Sequence, residues 1–249
     1  MQAQKVSLLR SESPFEAGCS ASQCQHCSVR HLAFCSALAA DELTSLEAIM
    51  HDFHFAPGET IVAEDDANDS VYSLTHGCIK LYKSLSDGRC QNIGFLLPGD
   101  FLGNIHSSGY LYSADAVTEG RLCRFSRTQL QSVFQQYPHL ERRLFGIVDN
   151  ELSLARDQML LLGRKSARER VASFLMHMYR RAKRSQLPLQ PMSLPMTRMD
   201  IADYLGLTTE SVSRTFTKLR KEGLLALPKA NQVMFLMPET LEDMADGLT

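Results

Sequence analysis

Ile201-Ala-Asp-Tyr-Leu-Gly206-Leu207-Thr208-Thr209-Glu210-Ser-Val212-Ser-Arg214 decides the architecture at the C-terminal end of this chain. Ala202 is small where two helices must cross, Gly206 four residues on permits a tight turn, and Val212 ten residues on is an apolar anchor. Those three requirements define a helix-turn-helix. Thr197-Arg-Met-Asp200 ahead of it has the form of a capped helix start. On the second helix Val212, Phe216 and Leu219 share one face, while Glu210, Ser213, Arg214 and Thr217 share the opposite one. Arg can donate two hydrogen bonds to a guanine edge, Glu can accept from cytosine, and Ser can do either. Lys218, Arg220 and Lys221 suit phosphates, which position a helix without reading sequence. Thr209, Glu210, Ser213, Arg214, Thr217 and Lys218 are therefore the candidate DNA contacts. Residues 223–228 and 232–236 read as the strands of a wing. The competing reading is a small helical bundle that touches no DNA.

Charge agrees with the DNA reading. Residues 1–163 carry 12 Lys+Arg against 19 Asp+Glu, whereas 164–249 carry 14 against 9. A basic end behind an acidic front confines nucleic-acid contact to one module.

Upstream, Ser166-Ala-Arg-Glu169 opens a helix with a capping box, and Val171, Phe174, Leu175 and Met178 form its buried stripe. Before it, a long helix is expected from Pro138 to Gly163, with Pro in the first turn and Gly as C-terminal cap. Leu140, Leu144, Ile147/Val148, Glu151/Leu152, Ala155, Met159 and Leu162 lie near an a/d stripe. Such a seam has to be buried, either on the chain's own β-domain or, the preferred reading, on a second copy. Leu144, Ile147, Val148, Leu152, Ala155, Met159 and Leu162 are the candidate dimer residues.

Between Phe53 and Phe125, apolar runs of strand length alternate with turn signals such as Pro57-Gly58, His76-Gly77, Asp87-Gly88 and Pro98-Gly99-Asp100. That spacing reads as an all-β barrel or roll. A helix is expected over Leu38–Met50. The predicted fold class is thus α+β: a β-roll, a long dimerisation helix and a winged helix-turn-helix. The expected domains are a cysteine arm (1–37), the roll (38–137), the helix (138–163) and the DNA-binding module (164–249).

Four of the seven cysteines crowd into Cys19-Ser-Ala-Ser-Gln-Cys24-Gln-His-Cys27-Ser-Val-Arg-His-Leu-Ala-Phe-Cys35. Core thiols usually stand singly in apolar runs, so this crowding suggests a bound metal or cluster. From the residues alone three readings stay open: an iron–sulfur cluster, a zinc site drawing on His26 and His31, or bare redox-sensing thiols. Cys78, Cys90 and Cys123 read as packing thiols. The odd cysteine count argues against a disulfide framework. The N-terminus has no signal-peptide order and no run spans a membrane, so a cytoplasmic protein is expected. No nucleophile–base pair, phosphate loop or metal-helix motif suggests an enzyme.

The order of elements resembles the Crp/Fnr regulators over nearly the whole chain. Phe95-Leu-Leu-Pro-Gly-Asp-Phe-Leu-Gly103 is similar to the family's roll signature, and Met159–Val171 to its dimer-helix exit. Leu194–Arg214 matches its DNA-reading segment, with Glu210, Ser213 and Arg214 as the E-x-x-S-R signature that contacts a TTGAT half-site in FNR-like members. Cyclic-nucleotide binders of the family carry a Glu and an Arg-Ser/Thr around the phosphate. Here Asn104 and Tyr112-Ser-Ala-Asp-Ala116 stand instead, so a cyclic nucleotide is not expected. Cys24-x2-Cys27-x7-Cys35 with distant Cys123 resembles the FnrN/FnrL/AadR branch. The resemblance implies a 4Fe–4S cluster on those four thiols, a DNA-binding homodimer favoured by the intact cluster, and inactivation by oxygen. It also leaves Cys19 a spare, although Cys19-x4-Cys24-x2-Cys27 matches a ferredoxin spacing. By the same analogy the hairpin at Ser84–Gly88 would face RNA polymerase.

Overall fold

The computed structural model describes residues 23–105 and 107–248; Cys19 lies outside them. After a 3₁₀ turn at Phe34–Ala37 and a short α1 (Leu43–Glu47) come eight strands. They are β1 (Met50–Phe55), β2 (Thr60–Val62), β3 (Ser70–His76), β4 (Ile79–Ser84), β5 (Cys90–Leu96), β6 (Phe101–Leu102), β7 (Ser113–Ala116) and β8 (Gly120–Ser126). Two antiparallel sheets, β1-β8-β3-β6 and β2-β7-β4-β5, close on a core that includes Leu74, Ile79, Leu102, Ala114 and Leu122. Gly77 makes the turn into β4 at φ +94°, where a Cβ would meet the Glu119 carbonyl oxygen at 2.6 Å. Only glycine fits there.

The helix expected over Leu38–Met50 shrinks to five residues. Leu43 and Leu46 are buried as its spacing required, but Met50 already pairs with Phe125 as the first residue of β1. That strand was hidden because Met50–Phe55 is rich in His and Asp and is sandwiched by pairing rather than by alternation.

The helical half holds α2 (Arg127–Gln136), α3 (Pro138–Arg164), α4 (Ala167–Arg184), α5 (Arg198–Leu205), α6 (Thr209–Lys221) and α7 (Pro238–Ala245), with strands β9 (Met192–Ser193), β10 (Leu225–Ala226) and β11 (Gln232–Phe235). Neither α2 nor α7 was foreseen, though Leu130, Val133 and Phe134 in the one and Leu241, Met244 and Ala245 in the other are buried at helical spacing. α3 has 27 residues and passes through Gly163 to end at Lys165, whose φ/ψ of −84°/143° is extended. Gly163 is therefore not its cap. The extended Lys165 and Ser166 act as the break, and Ser166 starts α4 with both halves of the capping box formed. β10 and β11 form the wing, and β9 adds a third strand to it.

Candidate functional site

The helix-turn-helix follows from its sequence. Ala202 and Val212 are at most 1% exposed where α5 and α6 pack. Gly206 adopts a left-handed φ of +59°, ending α5. Thr197 and Asp200 cap α5 reciprocally, and the Thr208 hydroxyl caps α6 by accepting from the Ser211 amide at 3.2 Å. Val212, Phe216 and Leu219 are buried, so the opposite face of α6 turns outward with Thr209, Glu210, Ser213, Arg214 and Lys218 exposed and Thr217 half-buried. Ser213, Arg214, Thr217, Lys218 and Lys221 line one shallow open groove. Bonds from its own amide and the Thr208 hydroxyl hold the Glu210 carboxyl below the usual range, so it remains an acceptor at neutral pH. Thr217 donates its hydroxyl to the Ser213 carbonyl at 2.9 Å, which leaves its oxygen as an acceptor.

One residue that the sequence reading passed over ties this reading head to the long helix. Arg170 donates from Nη2 to the Leu162 carbonyl (2.9 Å), from Nε to Lys165 (2.9 Å) and from Nη1 to Leu205 (2.9 Å). Three bonds from one guanidinium thus join the end of α3 to the turn before α6. Gln158 of α3 adds a bond to the Tyr204 carbonyl at 2.8 Å.

The stripe on α3 divides. Leu140 and Leu144 are buried, and Ile147 partly so, against the roll together with Phe34, Phe125 and Leu130. Leu144 thus packs in the chain's own core rather than toward a partner, and Ile147 does so in part, because the 3₁₀ turn at Phe34–Ala37 and α2 cover the first turns of α3. Leu161 and Leu162 pack against the DNA-binding module. Between these ends Phe145, Val148, Leu152 and Met159 are each at least half exposed, and Ala155 is exposed with them. Phe145, Val148, Leu152, Ala155, Met159 and Leu162 recur at alternating steps of three and four, a heptad seam. Phe145 was missed because the buried and exposed stripes overlap in sequence.

The cysteines converge from two parts of the chain. Phe34 is 1% exposed and meets Phe101 and Phe125 edge-on at 5.5 and 5.6 Å. Burying such a ring stabilises by about 1.5–3 kcal/mol, which pins the arm to the roll beside β8. Cys123, opposite Asp52 and Ser73 in its sheet, packs on the same core cluster as Cys24 and Cys35 of the arm. Burial pushes the Cys35 thiol up to about 11 and Cys123 up to about 12. The neighbouring thiols add to this: Cys27 acts on Cys35, Cys27 and Cys35 act on Cys123, and Cys35 and Cys123 act on Cys24. Cys24 is raised most, by burial and by Glu47, whose Oε1 accepts the Cys24 amide at 2.9 Å. Cys78 is buried in the core, whereas Cys90 is exposed at the β4–β5 turn, 3.3 Å from the Ser84 hydroxyl, and is not a packing thiol. His26 and His31 are exposed. Among the described residues no three Cys, His, Asp or Glu side chains close on a single-ion site.

A β-roll, a long helix and a winged reading head define the class: a DNA-binding regulator. Residues 52–137 match the Cyclic nucleotide-binding domain family, and residues 169–244 match the Crp-like helix-turn-helix domain family. The chain is 43% identical over 222 residues to "Nitrogen fixation regulation protein FixK" of Bradyrhizobium diazoefficiens, covering 89% of this chain and 93% of that protein. It is 45% identical over 210 residues to "Transcriptional activatory protein AadR" of Rhodopseudomonas palustris, covering 84% and 88%. The solved structure of FixK2 from Bradyrhizobium japonicum superposes with a TM-score of 0.74 at 37% identity, over 79% of this chain and 97% of that one. The chain belongs to the Crp/Fnr family of DNA-binding transcription regulators, which function as dimers and are not enzymes. None of its described helices is long and apolar enough to cross a membrane.

Proposed function

We propose that this protein is an oxygen-responsive transcription activator in which Cys24, Cys27, Cys35 and Cys123 hold a 4Fe–4S cluster. The observation that carries the reading is the convergence of these thiols: Cys24 and Cys35 of the arm pack with Cys123 of β8 against one core cluster, and each of the four is electrostatically linked to another of the set. Four cysteines are the usual complement for such a cluster. A cluster is also wider than one ion, which suits thiols that gather without closing on a single-ion site. Bare redox sensing fits less well, because the reacting species is the thiolate and burial raises these thiols. When bound, the cluster supplies an oxygen-labile centre.

The chain's own residues supply the rest. Phe34 couples the arm to the roll, where Leu140 and Leu144 of α3 join the same core. The exposed seam of Phe145, Val148, Leu152, Ala155 and Met159 suits a second copy of the same helix, and Arg170 carries the position of α3 to the reading head. Two α6 helices related by a two-fold axis would meet TTGAT half-sites about one helical turn apart. Activation is supported by relatives named as activators, such as FnrL of Cereibacter sphaeroides. The β4–β5 turn at Ser84–Gly88, with Leu85 exposed, is the surface we assign to RNA polymerase. In the roll, Asp115 accepts from the Thr60 hydroxyl at 2.8 Å, a carboxylate that would repel a cyclic nucleotide's phosphate.

Anaerobic purification tests the reading. A brown protein that binds a TTGAT palindrome as a dimer, then bleaches and releases DNA in air, is expected. A colourless protein with about one zinc per chain would sink it.

A further inference from the structure

We infer that Arg30 is the cationic partner of the group held by the cysteines, donating its Nε–H to that group's sulfur and offsetting its negative charge. The inference rests on the cluster reading above. Arg30 sits on the turn that links two of the proposed ligands: its amide donates to the Cys27 carbonyl at 3.2 Å, and its own carbonyl accepts from Ala33 at 3.2 Å. The side chain folds back into the arm, where Nη2 donates to the Leu38 carbonyl at 2.6 Å. A guanidinium is a rigid planar fork, so fixing one arm of it fixes the direction of the others. Nε is then shut off from solvent and has no acceptor among the described residues.

A buried N–H without an acceptor is costly, and more so when it belongs to a cation. Its surroundings offer one class of acceptor. The Arg30 charge acts on Cys35 in the direction that favours the thiolate. Four thiolates brought together away from water form an anionic set that needs a counter-charge. Glu47 of α1 carries the wrong sign, and Arg121 of the roll, which also favours the Cys123 thiolate, is itself paired with Asp52 at 2.6 Å. Nor is Arg30 needed to shape the arm by itself. Leu32 lies against Gly99, where an added Cβ would come within 2.6 Å of it, and Arg143 of α3 donates to the Leu32 carbonyl at 3.3 Å. The arm's path is therefore set by the roll and α3, and the guanidinium is delivered to the thiols by that path.

The test uses full-length Arg30→Met and Arg30→Lys variants, loaded with iron and sulfide without oxygen, then challenged anaerobically with an iron chelator while visible absorption is followed. With that hydrogen bond and its charge removed, Arg30→Met should lose its colour roughly tenfold faster than the parent, a difference of about 1.4 kcal/mol. Arg30→Lys, which keeps the charge without the planar fork, should fall between them. The unloaded proteins should melt at the same temperature. A loaded Arg30→Met that loses colour at the parent's rate overturns the inference alone. So does a loss that merely follows lowered melting of both unloaded variants, since that marks a structural role at Leu38. A parent chain that takes up no iron overturns the cluster reading, and the inference with it.

Discussion

Lys80 Nζ lies 3.1 Å from Asp200 Oδ1, joining β4 of the roll to α5, the helix that supports the reading head. Asn92 reinforces the contact by donating to the Asp200 carbonyl at 3.0 Å, and Phe95 stands 5.5 Å from Tyr204. Asp100 of the roll pairs with Arg181 of α4. The domains thus meet through ion pairs around an apolar patch in which Cys78, Phe95, Leu97 and Val117 of the roll join the core of the DNA-binding module.

Burial would raise the Asp200 carboxyl, but bonds from Thr197 and Lys80 outweigh it and hold Asp200 below its ordinary value. A lowered folded value means that its stabilisation is full above the unfolded value of about 4 and is lost as pH falls through the folded one. Denaturant titrations from about pH 6 to about pH 3 should show a steeper acid loss in the parent than in Asp200→Asn. Lys80→Met should cost about 1–2 kcal/mol at neutral pH, since Lys80 is partly exposed and Asp200 keeps Thr197.

Arg214 and Lys218 should fail differently. Arg214→Ala is expected to relax sequence preference and to cost about 1–3 kcal/mol per half-site, while Lys218→Ala should lower the salt slope by about one with preference intact. Fluorescence anisotropy on matched and scrambled operators across a salt series separates them. Unchanged binding of Arg214→Ala to a TTGAT palindrome means that α6 is not the reader.

On α3, position decides the outcome. Leu152→Glu puts a charge on the exposed seam and should shift sedimentation toward monomer with little change in the stability of the chain itself. Leu144→Ala, at 4% exposure, should lower stability by about 2–5 kcal/mol. Its dimerisation should weaken only as far as its fold does. If the two variants behave alike, the division of the stripe is wrong.

A cysteine scan should sort the six described thiols into three groups. Serine at Cys24, Cys27, Cys35 or Cys123 should each abolish the colour of the anaerobic protein. Serine at buried Cys78 should cost stability while leaving colour, and serine at exposed Cys90 should change neither. Colour retained in Cys123→Ser would remove β8 from the ligand set.

Much of the fold is legible along the chain because its signals are local. Two reciprocal capping boxes fix the starts of α4 and α5, and the Ala202, Gly206 and Val212 spacing fixes the turn. Glycines at turns such as Gly77 mark the roll. Elements whose identity depends on partners were illegible: His- and Asp-rich β1 is a strand because it pairs with β8 along its whole length, and β9 exists because β11 extends the wing to it.

By itself the sequence determined the reading head, the long helix and the crowd of thiols in the arm, since helix periodicity, capping and turn chemistry act over a few residues. Only the tertiary structure decided how Cys123, which the family resemblance had singled out, comes to lie beside that crowd, which half of the α3 stripe is left open, and how the roll holds the DNA-binding module. Cys123 meets the arm because Phe34 is buried between Phe101 and Phe125, and Lys80 meets Asp200 across 120 positions of chain. Side chains so far apart are brought together by strand pairing and core packing, which no local pattern encodes.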